Sequence, residues 1–339
     1  MVDVVDVAIT AYRHARYIAE AIESVLAQTF RDWRLTIFEN GPGGGEIECA
    51  VAPYLSDPRV AYQASGAELT VDANFTRAIR HGTAEYVALL HDDDRWHPDF
   101  LASRVAALDA NPECAFAFSG WVQIDEQGVA GELSPLRFAH GVLPRAALAR
   151  ALVQRNPVVA ATAVVRRSAY EAVGAAFEGR WLFCDWEMWS RLAAQFPAFY
   201  LARRDTDFRR HLQSNTFATR EEPECLLALA DHVERLLAPH LDTQRRGRND
   251  RARRRSRILL RAASDVHTGG GWRVSAALYR RALREYPPTV MHRRSLRMLA
   301  YTVVGRRTAV ALANLARRPL IIAALSLVRK PQMNTDDHR

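Results

Sequence analysis

Cysteine is scarce in this chain of 339 residues, which has only four, none of them close to another. Cys49, Cys114, Cys184 and Cys225 form none of the paired spacings that bind zinc or mark a redox motif, so the sequence argues against both kinds of site. Four reduced thiols are ordinary for a protein of the cytoplasm. We therefore expect a cytoplasmic location.

A long hydrophobic run is also absent. The longest apolar stretch covers residues 319–328, about half of the roughly 20 residues that a membrane-spanning helix needs. The first six residues lack a basic segment followed by an apolar core, so we expect no secretory signal. Hydrophobic residues make up 49% of the chain and charged residues 25%, as in soluble globular proteins of one or two domains.

Neither of the common glycine-rich phosphate-binding motifs is present. Gly41 and residues 43–45 lack the Lys-Ser/Thr ending of a P-loop and the spacing of a dinucleotide fingerprint. A wide turn is the simpler interpretation, and a loop over a ligand is the alternative. Residues 10–14, which follow the first predicted strand, contain no glycine. This argues against a nucleotidyltransferase, the enzyme class in which we would expect a glycine-rich loop there.

Charge is divided unevenly along the chain. From residue 221 onward there are 24 Arg and Lys against 11 Asp and Glu, a net charge of +13. Residues 1–220 carry 22 against 27, a net charge of −5. This difference predicts a boundary near residue 220, between a first domain over residues 1–220 and a basic, α-helical region over residues 221–339.

The basic region is open to several interpretations. Nine arginines between residues 245 and 261 suit a phosphate-binding, non-catalytic scaffold. A nucleic-acid surface should interleave aromatic residues, and this segment has none, so no nucleic-acid partner is expected. Residues 269–288 loosely resemble one tetratricopeptide-type helix, which must pack on the first domain or on a partner. Residues 306–329 suit either peripheral contact with an anionic membrane or the solvated face of a helical bundle.

The first 110 residues alternate between strand-like and helix-like patterns. Strands are predicted at residues 4–10, 35–38, 60–62 and 86–90. Helices are predicted at residues 12–27, 49–55, 71–80 and 99–108. This order is typical of a parallel sheet with crossover helices.

The pattern of residues 111–211 is less regular. Strands are predicted at residues 114–118, 156–166 and 199–201. Residues 121–128 are predicted to form a strand followed by a turn, and a helix begins near residue 183. Residues 208–211 are expected to follow a polar turn. No chemistry is evident in residues 127–143.

Three consecutive aspartates follow the strand at residues 86–90. Asp92, Asp93 and Asp94 repel one another, so a folded protein keeps them together only with a cation or abundant water nearby. Carboxylates at the end of a strand suit a hard divalent ion such as Mg²⁺ or Mn²⁺, with a diphosphate as a further ligand. For an isolated triplet, a solvated acidic turn is the alternative.

Polar residues also end two other strands of the predicted sheet. Thr10 ends the first strand, and Glu39 and Asn40 end the second. Ligands of such sheets bind beyond the carboxyl ends of the strands. Together with the aspartates, these residues define a candidate ligand site.

The order of these segments resembles that of the family 2 glycosyltransferases, the inverting nucleotide-sugar enzymes of GT-A fold. The resemblance covers roughly residues 4–218. It rests on residues 10–12, 21–30, 82–98, 185–189 and 209–215. It implies an α/β protein, with a mostly parallel sheet flanked by helices and followed by a C-terminal helical region.

The resemblance implies which residues bind the nucleotide. Thr10 and Tyr12 would line the nucleotide pocket, and Asn40, beside Glu39, would approach the base. The family usually has a pair of aspartates where this chain has Glu39 and Asn40. The identity of the base, uridine, thymidine or guanosine, therefore stays open.

The resemblance also assigns the acidic triplet. Asp93 and Asp94 would hold the ribose and the diphosphate-bound Mg²⁺ or Mn²⁺, with Asp94 as the main metal ligand. Asp92 would assist, since Asp92 and Asp94 have a carboxylate-any-carboxylate spacing. His211 would contact the metal or a phosphate, and a partly buried structural histidine is the alternative.

The resemblance makes Asp185 the general base that takes a proton from the acceptor hydroxyl. Glu187 is the competing candidate, but a separation of two residues turns the two side chains about 200° apart on a helix. A structural cap at the start of the helix is the alternative for both acids.

The Gln-x-x-Arg-Trp sequence of the family's processive synthases is absent. We expect a single-transfer enzyme that acts on a bacterial surface glycan or its lipid-linked precursor.

Overall fold

The computed structural model describes residues 4–13, 15–177, 184–211, 223–241, 248–268, 272–291 and 295. The chain divides into two compact units, Met1–Arg245 and Arg246–Arg339. The boundary near residue 220 stays a prediction; the helix at residues 223–237 lies in the first unit. Parts of the sequence prediction fall outside the described residues, namely residues 212–220 and 306–329.

The first unit combines a sheet with flanking helices. The described strands are β1 (Val5–Ala11), β2 (Trp33–Glu39), β3 (Val60–Ala64), β4 (Tyr86–His91), β5 (Arg95–Trp96), β6 (Phe116–Ile124), β7 (Ala130–Leu133), β8 (Gly141–Leu143), β9 (Ala163–Arg166) and β10 (Ala198–Arg209). The described helices are α1 (Ile18–Leu26), α2 (Glu46–Val51), α3 (Val71–Arg80), α4 (Phe100–Asp109), α5 (Arg145–Gln154), α6 (Arg167–Ala172), α7 (Cys184–Gln195) and α8 (Pro223–Leu237). Short 3₁₀ turns lie at Ala52–Ser56, Ala160–Thr162 and Ala238–His240.

The strands form one mixed sheet in the order β3-β2-β1-β4-β9-β6-β10-β5, with β7 on β6 and β8 on β10. Strands β3, β2, β1 and β4 are mutually parallel. The parallel arrangement predicted for residues 4–90 is therefore confirmed. Strand β9 is antiparallel to both β4 and β6 and joins the two halves of the sheet.

Helix α1 shows how the apolar pattern is used. Ile18, Ile22 and Val25 recur at helical spacing and are fully buried in the main core, while Leu26 packs against it partly buried. The helix begins at Ile18 rather than at residue 12. Arg13 has a φ of 64°, a left-handed conformation that a right-handed helix cannot include. The segment between β1 and α1 is therefore a loop at the end of the strand.

Three sequence predictions after residue 110 are wrong in detail. A strand at residues 114–118 and a second strand within residues 121–128 were expected, but one strand, β6, runs without a break from Phe116 to Ile124; the turn expected after it lies at residues 126–127. The predicted strand at 156–166 is reduced to β9, because a 3₁₀ turn precedes it. Residues 127–143, where the pattern indicated nothing, contain β7 and β8.

The largest difference from the sequence prediction is the length of β10. A strand was expected only at residues 199–201, followed by a polar turn, but β10 continues to Arg209. Its most buried aspartate, Asp205, is paired with an arginine of α4. Asp205 lies 2.5 and 2.7 Å from two guanidinium nitrogens of the buried Arg104 and also accepts a hydrogen bond from Ser119 at 2.9 Å. A buried charge persists when it is paired and hydrogen-bonded. Polar composition therefore did not mark a turn here.

The described residues of the second unit are mainly helical, as predicted. They form α9 (Arg248–Thr268), α10 (Trp272–Glu285) and a 3₁₀ turn at Pro287–Met291. Ser256 of α9 donates to the carbonyl of Ala282 at 2.6 Å, and Ser275 of α10 donates to the carbonyl of Ala263 at 2.7 Å. Small buried hydroxyls thus hold the two helices together. Among the described residues of the whole chain, no helix has both the length and the apolarity to cross a membrane.

Candidate active site

The carboxyl ends of the parallel strands bring the predicted polar residues to one edge of the sheet. The register places Thr10 beside His91 and Ala11 beside Glu39. The acidic triplet follows directly in the turn after β4, with Asp94 almost wholly buried. Thr10 itself is buried.

Asp94 is the most tightly held of the three aspartates. One carboxylate oxygen accepts the backbone N–H of Arg209 at 2.9 Å, and the other lies 3.2 Å from Nδ1 of His91. The potential ligand atoms of His91, Asp93 and Asp94 all lie within 4.8 Å of one another. Carboxylate and imidazole donors at this spacing are suited to a divalent cation.

The electrostatics of the cluster also fit a cation. Burial, and then the neighbouring charge of Asp93, raise the pKa of both Asp92 and Asp94. Burial lowers the pKa of His91, but the hydrogen bond to Asp94 and the charges of the triplet outweigh this and raise it to about 9. The three carboxylates thus repel one another in a poorly solvated place, and an added positive charge would relieve that repulsion.

His211, the other predicted metal or phosphate contact, lies beside this cluster. Its Nε2 is 3.0 Å from Oδ2 of Asp93, and its ring packs on Tyr17 at 5.3 Å between centroids. The grouping of potential ligands found among the described residues contains His91 instead. His91 was not singled out from the sequence, where it lies between the predicted strand at residues 86–90 and the three aspartates.

Arg209 holds the turn that carries the three aspartates, a role that the sequence did not indicate. Its side chain is buried and donates to the backbone carbonyl of Asp93 at 2.9 Å and to Glu20 at 2.6 Å. The guanidinium also stacks on Tyr17 at 4.2 Å from the ring centroid. Arg95 donates to the same carboxylate of Glu20 at 3.0 Å. These contacts tie α1 and β10 to the turn that carries the aspartates.

Tyr12 connects the end of β1 with the triplet and with a neighbouring loop. Its backbone N–H donates to Oδ2 of Asp92 at 3.0 Å. Its hydroxyl donates to Glu68, which also pairs with Arg13 at 3.0 Å. The carboxylate of Glu68 thereby holds the loop at residues 65–70 against the end of the first strand.

Glu39 and Asn40 are both buried and already engaged. The hydroxyl of Tyr62 donates to Glu39. The amide of Asn40 donates to the carbonyl of Leu69 at 2.9 Å and accepts the N–H of the same residue at 2.6 Å. Asn40 was expected to contact the nucleotide base. In the structure its amide group instead binds the backbone of Leu69 and fixes the loop at residues 65–70.

Asp185 lies at the start of α7, far from the triplet in sequence. Its Oδ1 accepts the N–H of Trp186 at 2.8 Å, and its Oδ2 accepts Nδ2 of Asn156 at 3.0 Å. Burial raises the pKa of Asp185 to about 6, opposed by the Trp186 N–H and by the charge of His91. The charge of His91 acts on Asp185, so the start of α7 lies within electrostatic range of the residue that precedes the triplet.

Glu187, the competing candidate, is buried in a different set of contacts. It pairs with Arg191 of its own helix at 2.9 Å and lies 3.5 Å from Nε2 of His232 on α8. Arg191 also donates to the carbonyl of Val173 at 2.5 Å. The carboxylate of Glu187 therefore connects α7 with α8.

Comparison with known sequences gives the family. Residues 6–174 match the family described as glycosyl transferase family 2. The putative glycosyltransferase EpsE of Bacillus subtilis (strain 168) is 26% identical over 171 residues, covering 50% of this chain and 58% of EpsE. The putative teichuronic acid biosynthesis glycosyltransferase TuaG of the same organism is 27% identical over 126 residues, covering 37% of this chain and 49% of TuaG. The chain thus spans about half the length of these relatives.

Comparison with solved structures gives the fold. The crystal structure of S. aureus TarS 1–349 in complex with UDP-GlcNAc matches with a TM-score of 0.59 and 11% sequence identity, covering 86% of this chain and 93% of that chain. At this identity the likeness is one of fold. The α/β architecture, with its polar strand ends, is that of the GT-A glycosyltransferases. Since residues 6–174 match it, the chain belongs to glycosyl transferase family 2.

Proposed function

We propose that this protein transfers a sugar from a nucleoside diphosphate sugar to a hydroxyl of an acceptor, with inversion at the anomeric carbon and with the help of a divalent cation. The observation that supports it best is the cluster of His91, Asp93 and Asp94 at the carboxyl end of β4, together with the carboxylate of Asp185, on which the charge of His91 acts. Between them they supply the two groups that such a displacement needs, a base and a place for the departing diphosphate.

The metal would be held by Asp94, with Asp93 and, once a bound cation has displaced its proton, His91 as the other available ligands. Mg²⁺ or Mn²⁺ bound there would neutralise the charge that develops on the departing diphosphate. Asp92 and Tyr12, joined by a 3.0 Å hydrogen bond, would border the nucleotide together with Thr10.

Asp185 is proposed as the general base. A carboxyl whose burial raises its pKa to about 6 is ionised at neutral pH and yet more basic than an ordinary carboxylate. It would remove the proton of the acceptor hydroxyl while the oxygen attacks the anomeric carbon. Glu187 is less suited to this role, because its carboxylate already pairs with Arg191 at 2.9 Å and lies 3.5 Å from Nε2 of His232.

The biological setting is proposed from the relatives. TarS binds UDP-GlcNAc and TuaG is named for teichuronic acid biosynthesis, which supports a nucleotide-sugar donor and an acceptor within a bacterial surface glycan or its lipid-linked precursor. We propose a cytoplasmic enzyme whose basic C-terminal region contacts the anionic inner face of the cell membrane. The net charge of +13 from residue 221 onward supports that contact.

The test is thermal stabilisation by UDP, dTDP, GDP and CDP, each with and without Mn²⁺. A ligand that binds only the folded state raises the melting temperature by mass action. We expect one diphosphate to stabilise the protein in a metal-dependent way, and we expect Asp94→Ala to abolish the shift. Release of UDP from UDP-N-acetylglucosamine, followed by NMR of the anomeric configuration, then tests transfer and inversion. No shift with any diphosphate would contradict the proposal.

A further inference from the structure

We infer that Asn156 is a positioning residue for the general base: its amide group holds the carboxylate of Asp185 in the orientation that proton removal requires. The inference rests on the proposed function of Asp185. Asn156 lies in the segment between α5 and the 3₁₀ turn at Ala160–Thr162. Its Nδ2 donates to Oδ2 of Asp185 at 3.0 Å, across 29 residues of sequence.

The direction of the Asn156 amide follows from a second hydrogen bond. Its Oδ1 accepts the backbone N–H of Val158 at 3.0 Å. Since a backbone N–H is always a donor, the atom facing it must be the amide oxygen, and the NH₂ group must face Asp185. The short turn at residues 156–158 thus fixes which end of the amide meets the carboxylate.

The two hydrogen bonds to Asp185 restrain both of its oxygens. Oδ1 is held by the N–H of Trp186, which belongs to the same helix, and Oδ2 is held by Asn156. Each carboxylate oxygen has a second lone pair, so one remains for the acceptor hydroxyl. In the transfer, the O–H bond breaks and the proton passes to Asp185. The oxygen then bonds to the anomeric carbon, and the departing diphosphate keeps the electron pair of the broken bond.

The contacts around Asn156 keep it beside Asp185. The indole Nε1 of Trp186 donates to the carbonyl of Leu152 at 3.0 Å, which ties the start of α7 to the end of α5. On the other side, the carbonyl of Val159 accepts both the N–H and the hydroxyl of Thr162, at 2.8 and 2.7 Å. The segment is thus anchored at both ends, so the donor from Asn156 is preorganised for the base.

The experiment separates the two halves of the Asn156 amide. Asn156→Asp keeps an oxygen that can accept the Val158 N–H, but it replaces the donor that faces Asp185 with a second carboxylate. Asn156→Ala removes both. Asn111→Asp is the matched control, because Nδ2 of Asn111 donates only to the carbonyl of Ala107 at the end of α4, at 2.8 Å. For each variant, and for Asp185→Asn, the melting temperature, the diphosphate-induced shift, and the kcat and KM for UDP-N-acetylglucosamine are measured.

We expect kcat to fall about 100-fold in Asn156→Asp and in Asn156→Ala, with the KM for the donor and the diphosphate shift unchanged. Asn111→Asp should keep the wild-type kcat. If Asn156→Asp is as active as the wild type while Asp185→Asn is inactive, the residue only supports its own turn and the inference is wrong. If Asp185→Asn is itself active, the proposed base is wrong as well. Should Asn156→Asp not fold, Asn156→Ala decides by the same criterion.

Discussion

Arg209 meets Asp94 through its backbone: the N–H of Arg209 donates to Oδ1 of Asp94 at 2.9 Å. The side chain of the same arginine donates to the backbone carbonyl of Asp93 and to Glu20. The last residue of β10 therefore fixes both the carboxylate and the main chain of the acidic turn. The position of the candidate metal ligand depends on a strand more than a hundred residues away in sequence.

Replacing Arg209 should weaken the acidic turn. Arg209→Lys removes the planar group that bridges Asp93 and Glu20 and that stacks on Tyr17. We expect a loss of about 1–3 kcal/mol in the free energy of unfolding, together with weaker metal-dependent binding of the diphosphate. Chemical denaturation and titration with UDP and Mn²⁺ measure the two effects. Arg210→Lys, at an exposed neighbouring position, should change neither.

The three aspartates should differ in their importance for the metal. Asp94→Asn should abolish the Mn²⁺-dependent part of the thermal shift, because Asp94 is the most buried of the potential ligands. Asp92→Asn should reduce the shift less, since Asp92 accepts the Tyr12 N–H and is not among the grouped ligands. Equal losses in the two variants would count against the assignment of Asp94 as the main ligand.

Asp185→Asn should separate binding from chemistry. The change preserves shape but removes the basic oxygen, so the diphosphate shift should persist while transfer falls by about 10²–10⁴-fold. Single-turnover assays with the wild type and the variant measure the loss. Transfer at the wild-type rate would remove Asp185 as the base and return attention to Glu187.

The pH profile should carry the signature of the buried base. Because burial raises the pKa of Asp185 to about 6, kcat should rise as the pH increases through about 6 and level off above it. The folded state binds this proton more tightly than the unfolded chain, whose pKa is about 4. The contribution of Asp185 to the free energy of unfolding is therefore present at low pH and is lost as the pH rises from about 4 to 6. A kcat that is flat between pH 5 and 8, roughly the window around this pKa, would contradict the assignment.

The sequence was sufficient for the parallel half of the sheet. Its strands are short apolar runs separated by amphipathic segments, and Ile18, Ile22 and Val25 are buried as their spacing indicates. The strand-end positions of Thr10, Glu39 and the triplet follow from the same pattern. These features depend on local periodicity, which a single sequence contains.

The sequence was not sufficient where function depends on partners distant along the chain. Arg209 looks like one of many arginines until β10 brings it below the triplet. Asn156 lies in a segment that reads as an apolar strand, and its contact with Asp185 exists only after α5 and α7 have packed. Asp205 looked like part of a polar turn because its buried partner, Arg104, lies 101 residues earlier. No local pattern reports such pairs.

The contact between Glu187 and His232 has a practical consequence for anyone who shortens this protein. The resemblance to the family ends near residue 218, which invites an expression fragment that stops there. Such a fragment would lack α8, whose Leu229, Val233 and Leu237 are fully buried, and would remove the contact of Glu187 with His232. Since Glu187 lies two residues from Asp185 on the same helix, the smallest fragment worth expressing extends to residue 241.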